Sequence, residues 1–183
     1  QADFPEDPLP HYYQGRILEH KGNWSQAESE FNAALKLSPE HIPSAYNLAR
    51  IKLSQNQVDA ALEIYKRCLQ QQNQHAAALL GMARCLSMQQ DVAAARKILK
   101  QVQQMPENQI MKAFREVGDP AHVARNAVAL HRGQLELSAG NYHQAVTNLE
   151  TAVSLNPKDR KARLALADAY RGLGELKKAE VQL

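Results

Sequence analysis

The sequence predicts an all-α solenoid of stacked helix–turn–helix repeats, four full and one partial, with a 16-residue insertion before repeat four. Three observations predict it. Ala27, Ala61 and Ala95 stand 34 residues apart, as do Ala145 and Ala179, and the gap between the two sets is 50, which is 34 plus 16. A fixed period of about 34 residues marks an array of paired helices that bury their faces only by stacking. With the alanine as position 20 of each repeat, position 8 is always small: Gly15, Ala49, Ala83, Gly133 and Ala167. Hydrophobic residues make up 44% of the 183 but aromatics only 5%, which favours helices packed through small residues over a sandwich or barrel.

The frame assigns each element in order. Residues 1–7 are an acidic, proline-bearing tail or linker. Repeats one to three run over 8–41, 42–75 and 76–109 (together 8–109), repeat four over 126–159, and repeat five from 160 until it is cut off at Leu183, so that repeats four and five cover 126–183. Position 24 is large in every repeat (Phe31, Tyr65, Leu99, Leu149, Leu183), and position 27 is small to medium (Ala34, Cys68, Val102, Ala152). Large at 24 against small at 8, 20 and 27 is a knob-and-hole set for two antiparallel helices. Position 15 ends the first helix, where Gly22, Asn56, Gly140 and Gly174 suit a left-handed residue and Gln90 does not. Asn23, Asp91 and Asn141 follow as candidate N-caps of the second helix, with Gln26 and Gln144 three residues on. Pro39 and Pro157 stop the second helix, and Pro106 does so one residue early in repeat three.

The insertion, residues 110–125, breaks the phase. Pro106 starts a short helix through Val117, with Gly118 as terminator. Asp119 then caps a helix that begins at Pro120 and continues to Ala139, about 30 Å long. The insertion reads either as a tolerated edge segment or as a hinge or partner-specific surface.

These residues resemble the tetratricopeptide repeat family. Gly15, Ala27, Phe31, Ala34 and Pro39 match its motif, as do Gly133, Tyr142, Ala145, Ala152, Pro157 and Tyr170. Gln14 and Arg132 depart from the aliphatic position 7, and no repeat carries Trp at position 4. The resemblance implies a right-handed superhelix whose first helices line a concave groove. On that frame, position 9 places Arg16, Arg50 and Arg84 in the groove. Position 5 adds Tyr12, Tyr46 and Leu80, and Tyr13 and Asn47 lie at position 6. Guanidinium groups grip carboxylates bidentately and tyrosines give rigid apolar area with a polar tip, so an acidic or amphipathic peptide suits this groove. Arg16 beside Glu19 and His20 also reads as a solvated helix face.

Chaperone-binding members of the family hold a C-terminal carboxylate with Lys and Asn at positions 5 and 9, Asn at 6, then Lys at 2 and a base at 6. Here those positions hold Tyr12, Arg16, Asn47, Ala77 and Gly81, and one repeat later Tyr46, Arg50, Gly81, Ala127 and His131. Only Asn47 matches, so this ligand mode is excluded.

The expected function is a non-catalytic protein–protein interaction scaffold within a larger protein. No phosphate loop, nucleophile elbow or paired helical histidines are present, so no enzyme activity, metal or cofactor is expected. The net charge of +3 does not imply nucleic acid, and no apolar run reaches the length of a membrane span. His41 and His75, both at position 34, read as exposed connector residues. Cys68 and Cys85 lie on neighbouring helices and read as core-filling thiols, with a disulfide as the other reading. Leu173, Leu176 and Leu183 lack a capping helix, which implies either a longer natural chain or self-association through that end. The Gln- and Ala-rich texture reads as bacterial, cytoplasmic or periplasmic. Two other roles fit such an array: a periplasmic assembly factor for polysaccharide export or secretion machinery, and a regulatory arm of an enzyme with its catalytic domain elsewhere.

Overall fold

The computed structural model describes residues 7–183, apart from the side chain of Ala121. Of the expected tail at residues 1–7, only Asp7 lies within the described residues. The described residues form eleven α-helices and no strand. Repeat one gives α1 (Leu9–His20) and α2 (Trp24–Leu37), repeat two α3 (Ile42–Ser54) and α4 (Val58–Gln71), and repeat three α5 (Ala76–Met88) and α6 (Val92–Gln103). The insertion contributes α7 (Glu107–Glu116). Then come α8 (Ala121–Ser138), α9 (Tyr142–Leu155), α10 (Arg160–Gly172) and the short α11 (Leu176–Val181). The fold class is thus the expected α-solenoid of helix–turn–helix repeats.

Helix ends follow one device. Gly22, Asn56, Gln90, Gly140 and Gly174 all take positive φ, between 61° and 78°. The residue after each donates its amide back to a carbonyl five residues earlier, at 2.9 Å in every case: Asn23 to Leu18, Gln57 to Lys52, Asp91 to Leu86, Asn141 to Glu136 and Glu175 to Tyr170. This is the Schellman closure, which satisfies carbonyls that a helix end leaves without partners. Gln90 adopts it as well, against the expectation that only the other four would.

The same closure ends α7. Gly118 has φ 83°, and Asp119 donates to the Phe114 carbonyl at 2.9 Å. Asp119 thus gives its backbone amide to the end of α7. Pro120 takes the N-cap place with an extended ψ of 158° and no side-chain cap bond. The helix α8 starts one residue later than expected and spans 18 residues, or about 27 Å.

Two compact units divide the chain, one comprising residues 7–95 with Glu116–Gly118, the other Arg96–Arg115 with Asp119–Leu183. In the first, α1 packs on α2, α2 on α3, α3 on α4 and α4 on α5. Its core includes Tyr12, Ala27, Phe31, Leu48 and Ile51. In the second, α8 packs on α9, α9 on α10 and α10 on α11, around Ala145, Leu149, Ala152, Leu166 and Tyr170. The knob-and-hole reading is visible atom by atom. A Cβ built on Gly15 would stand 2.7 Å from the Phe31 ring, and one on Gly133 only 2.4 Å from Leu149. Leu183 is an exception among the position-24 residues, being largely exposed beyond the end of α11.

The caps correct two expectations. Asp91 accepts from the Ala94 amide at 3.0 Å, as expected. Asn23 and Asn141 occupy N-cap positions without a side-chain cap bond. Asn141 instead donates to Glu136 at 2.8 Å. Among the described residues, neither Gln26 nor Gln144 closes a capping box. Caps that the sequence did not suggest sit at position 34. His75 Nδ1 accepts from the Ala78 amide, and the Asp159 carboxylate accepts from Lys161 and Ala162. His75 is 2% exposed, so it is a buried cap and not an exposed connector residue. His41 is half-buried, its Nδ1 2.8 Å from the Ser44 hydroxyl.

Candidate functional site

Helices α1, α3 and α5 carry the position-5, -6 and -9 residues of the first unit, and the structure sorts these residues into two groups. Tyr12, Tyr46 and Leu80 are buried. Tyr12 packs edge-on against His41 and tilts against Phe31, and Tyr46 stands edge-on to Tyr65. Tyr13, 60% exposed, and Arg84, also exposed, are the members of the set that face solvent most openly.

Arg16 and Arg50 are joined by a residue that the sequence frame left on a solvated face. Glu19, 9% exposed, takes Arg50 Nη2 on one oxygen at 3.2 Å and lies 3.4 Å from Arg16 Nε with the other. Helical i,i+3 spacing puts Arg16 and Glu19 on one stripe. Arg50 reaches across from α3, and its guanidinium also stands over the Tyr46 ring, 5.9 Å from the centroid. One carboxylate thus offsets part of the positive charge of the arginine row.

The remaining donors of Arg16 converge on the end of α7. Nη1 donates to the Val117 carbonyl at 2.7 Å and Nη2 to the Gly118 carbonyl at 3.0 Å. Asn47, fully buried, adds a third bond: its Nδ2 donates to Val117 O at 3.1 Å and to Pro43 O at 2.8 Å, and its Oδ1 accepts from Arg50. Glu116 completes the group, accepting from Gln72 at 3.4 Å and lying 4.0 Å from His75 Nε2. The guanidinium fork is spaced for two oxygens about as far apart as those of a carboxylate, and here it holds two consecutive peptide carbonyls. A cation at this end also meets the negative pole of the helix dipole. Spacing found Arg16 and Asn47, and it marked His75 only as a connector residue, while Glu19, Gln72 and Glu116 carry no periodic signal.

In the second unit, position 9 holds Gln134 and Asp168, and Asp168 is paired with Arg171 at 3.0 Å. A second concavity of the first unit, about 600 Å³, is floored by Leu35, Leu48, Ile64 and Cys68 and edged by Lys36 and Arg67. Cys68 and Cys85 are free and buried, and burial pushes both thiols up to about 11. Neither is a thiolate near neutral pH, which suits core filling and not nucleophilic chemistry. Among the described residues no three His, Cys, Asp or Glu side chains converge, and no helix is long and apolar enough to cross a membrane.

The sequence profile of the tetratricopeptide repeat matches residues 18–67, 52–110 and 136–183. A search of curated proteins finds no match. Among solved structures, the chain is similar to the pilF protein of Pseudomonas aeruginosa, at 20% identity over 96% of this chain and 72% of that one, with a TM-score of 0.67. It is similar to a thermophilic TPR protein of Thermus thermophilus, at 23% identity over 96% and 87% of the two chains, with a TM-score of 0.63. It is also similar to YrrB, a TPR protein with an unusual peptide-binding site, at 14% identity over 98% and 84%, with a TM-score of 0.59. At such identities the likeness is one of fold.

Proposed function

The chain belongs to the tetratricopeptide repeat family, and from that premise we propose that it is a non-catalytic interaction scaffold that holds a partner peptide on the α1, α3 and α5 face of its first unit. The observation that carries this reading is the arrangement of Arg16 and Asn47. Three side-chain donors from two helices are aimed at one point on that face, where they meet peptide oxygen. A buried Asn and a largely buried Arg are costly to keep unless they have oxygen partners, so the face is built to meet peptide carbonyls or carboxylates. Arg84 and Tyr13 extend it with an exposed cation and an exposed ring. An acidic or amphipathic segment fits this combination, although Glu19 narrows the charge advantage of an acidic one. YrrB, with its peptide-binding site, shares the fold, and a repeat array offers extended surface more readily than a catalytic pocket.

The test is selection of peptides from a displayed random library on the full chain, followed by affinity measurement on Arg84→Glu and Tyr13→Ala. Both side chains are exposed, so the fold should tolerate the changes. Selected peptides are expected to lose at least about tenfold in affinity at unchanged melting temperature. Peptides that bind both variants as tightly as the parent would remove the site from this face.

A further inference from the structure

The donors of this face already have an occupant, and it comes from the chain itself. Residues Glu116–Gly118 fall in the first unit, and each is engaged by a different means. The Glu116 carboxylate accepts from Gln72 and faces His75. Val117 is fully buried, and its carbonyl takes both Arg16 and Asn47. The Gly118 carbonyl takes the second guanidinium nitrogen. Gly118 is demanded twice over. Its φ of 83° suits a residue without a Cβ, and a Cβ there would stand 2.0 Å from Arg16 Nη1 and 2.6 Å from the Tyr12 hydroxyl.

The Schellman closure after α7 explains why these oxygens are on offer. It uses the Asp119 amide to satisfy Phe114 and leaves the carbonyls of Val117 and Gly118 to side chains of α1 and α3. The occupying segment therefore has a simple pattern: an acidic residue, a buried aliphatic, then glycine, at the C-terminal end of a helix. Resting on the peptide-groove reading above, we propose that Glu116–Gly118 is an internal occupant of this groove. Its external partner is a helix ending in the same acidic–aliphatic–glycine pattern, which binds by displacing it. A tethered occupant acts at an effective concentration in the millimolar range, so it lowers the apparent affinity of any competitor. The groove is then open only to partners abundant or tight enough to overcome the chain's own segment.

The probe is a fluorescein-labelled synthetic peptide of residues 107–118, amidated so that it offers carbonyls and no terminal carboxylate, titrated into the full chain by fluorescence anisotropy. The unaltered chain should bind it weakly. Gly118→Ala, which drives a methyl into Arg16 and Tyr12, and Val117→Asp, which puts a charge where the segment is buried, should each tighten binding at least about tenfold by releasing the site. Adding Arg16→Ala to either should abolish the gain. Should Val117→Asp fail to fold by circular dichroism, Gly118→Ala, which keeps the buried valine, carries the comparison. On the unaltered chain, millimolar peptide should raise deuterium uptake at residues 116–119. Equal affinity across the parent and released variants, or unchanged uptake under excess peptide, overturns the internal occupant. If library peptides still depend on Arg84 and Tyr13 in that case, the groove reading survives alone; if they do not, both fall.

Discussion

Gly15 faces the Phe31 ring so closely that a methyl group would have three ring carbons within 3.0 Å. Phe31 is fully buried, in a core where close packing leaves little room for a ring to shift. Gly15→Ala is therefore expected to cost about 1–3 kcal/mol through overpacking, read as a lowered urea midpoint. Gly22 has nothing within 4 Å of its missing Cβ, but its φ is 77°. Gly22→Ala should cost about 1–2 kcal/mol from backbone strain alone, with no repacking of Phe31. Gln90 supplies the converse. It carries a side chain at φ 65°, so Gln90→Gly relieves strain of about 1–2 kcal/mol, less about 0.5–1 kcal/mol for the freer unfolded chain. A small rise in stability, up to about 1.5 kcal/mol, is expected in urea titrations; a fall would show that the Gln90 side chain contributes more than its backbone costs.

At the scale of the element, the start of α5 depends on a histidine that can lose its function by taking a proton. His75 Nδ1 accepts from the Ala78 amide, so the capping form is neutral with its proton on Nε2. Burial lowers its pKa from the ordinary 6.5, while the Glu116 carboxylate pulls the other way. Above 6.5 both folded and unfolded chains carry the neutral ring, and the contribution to stability is complete. As pH falls below that value the unfolded chain takes up the proton first, and stability is lost until the folded pKa is passed. His41, lowered by burial too, adds to the same slope. His75→Asn keeps a capping oxygen and removes the titration, so the fall in melting temperature between pH 7 and pH 5 should be shallower in the variant, and shallower still in His41→Asn with His75→Asn. Identical slopes for parent and both variants would mean that neither ring carries this pH dependence. These caps also show where the sequence was hard to read. Gly22, Gly140 and Gly174 announced helix ends through a conformation few other residues favour. A polar residue at position 34 serves equally as connector or as cap, and only burial decides which.

Across the whole molecule, what repeats was legible and what does not repeat was not. The period placed α1 to α6 and α8 to α11 because every repeat must present small residues at positions 8 and 20 and, in all but the last, a buried or half-buried large one at 24. The same period brought out the arginine row. It carried no signal for the bond from Arg16 to Val117, whose partners lie 101 residues apart in sequence, with one of them outside the repeat frame. Nor did it show that Glu19 would be buried between two arginines. Energetics should follow the same division, since a repeat array gains stability from each repeat and from its nearest neighbours. Phe31 is buried in the core of the first unit and Leu149 in that of the second. Phe31→Ala should cost about 3–5 kcal/mol and Leu149→Ala about 2–5 kcal/mol from lost burial and the cavity left behind. If stability is local, native-state hydrogen exchange will show Phe31→Ala exposing amides of α1 to α3 while those of α9 and α10 keep their protection, and Leu149→Ala will show the reverse. Equal loss of protection in both units from either substitution would mean that the array unfolds as one cooperative body, and that neighbour coupling outweighs the stability of any single repeat.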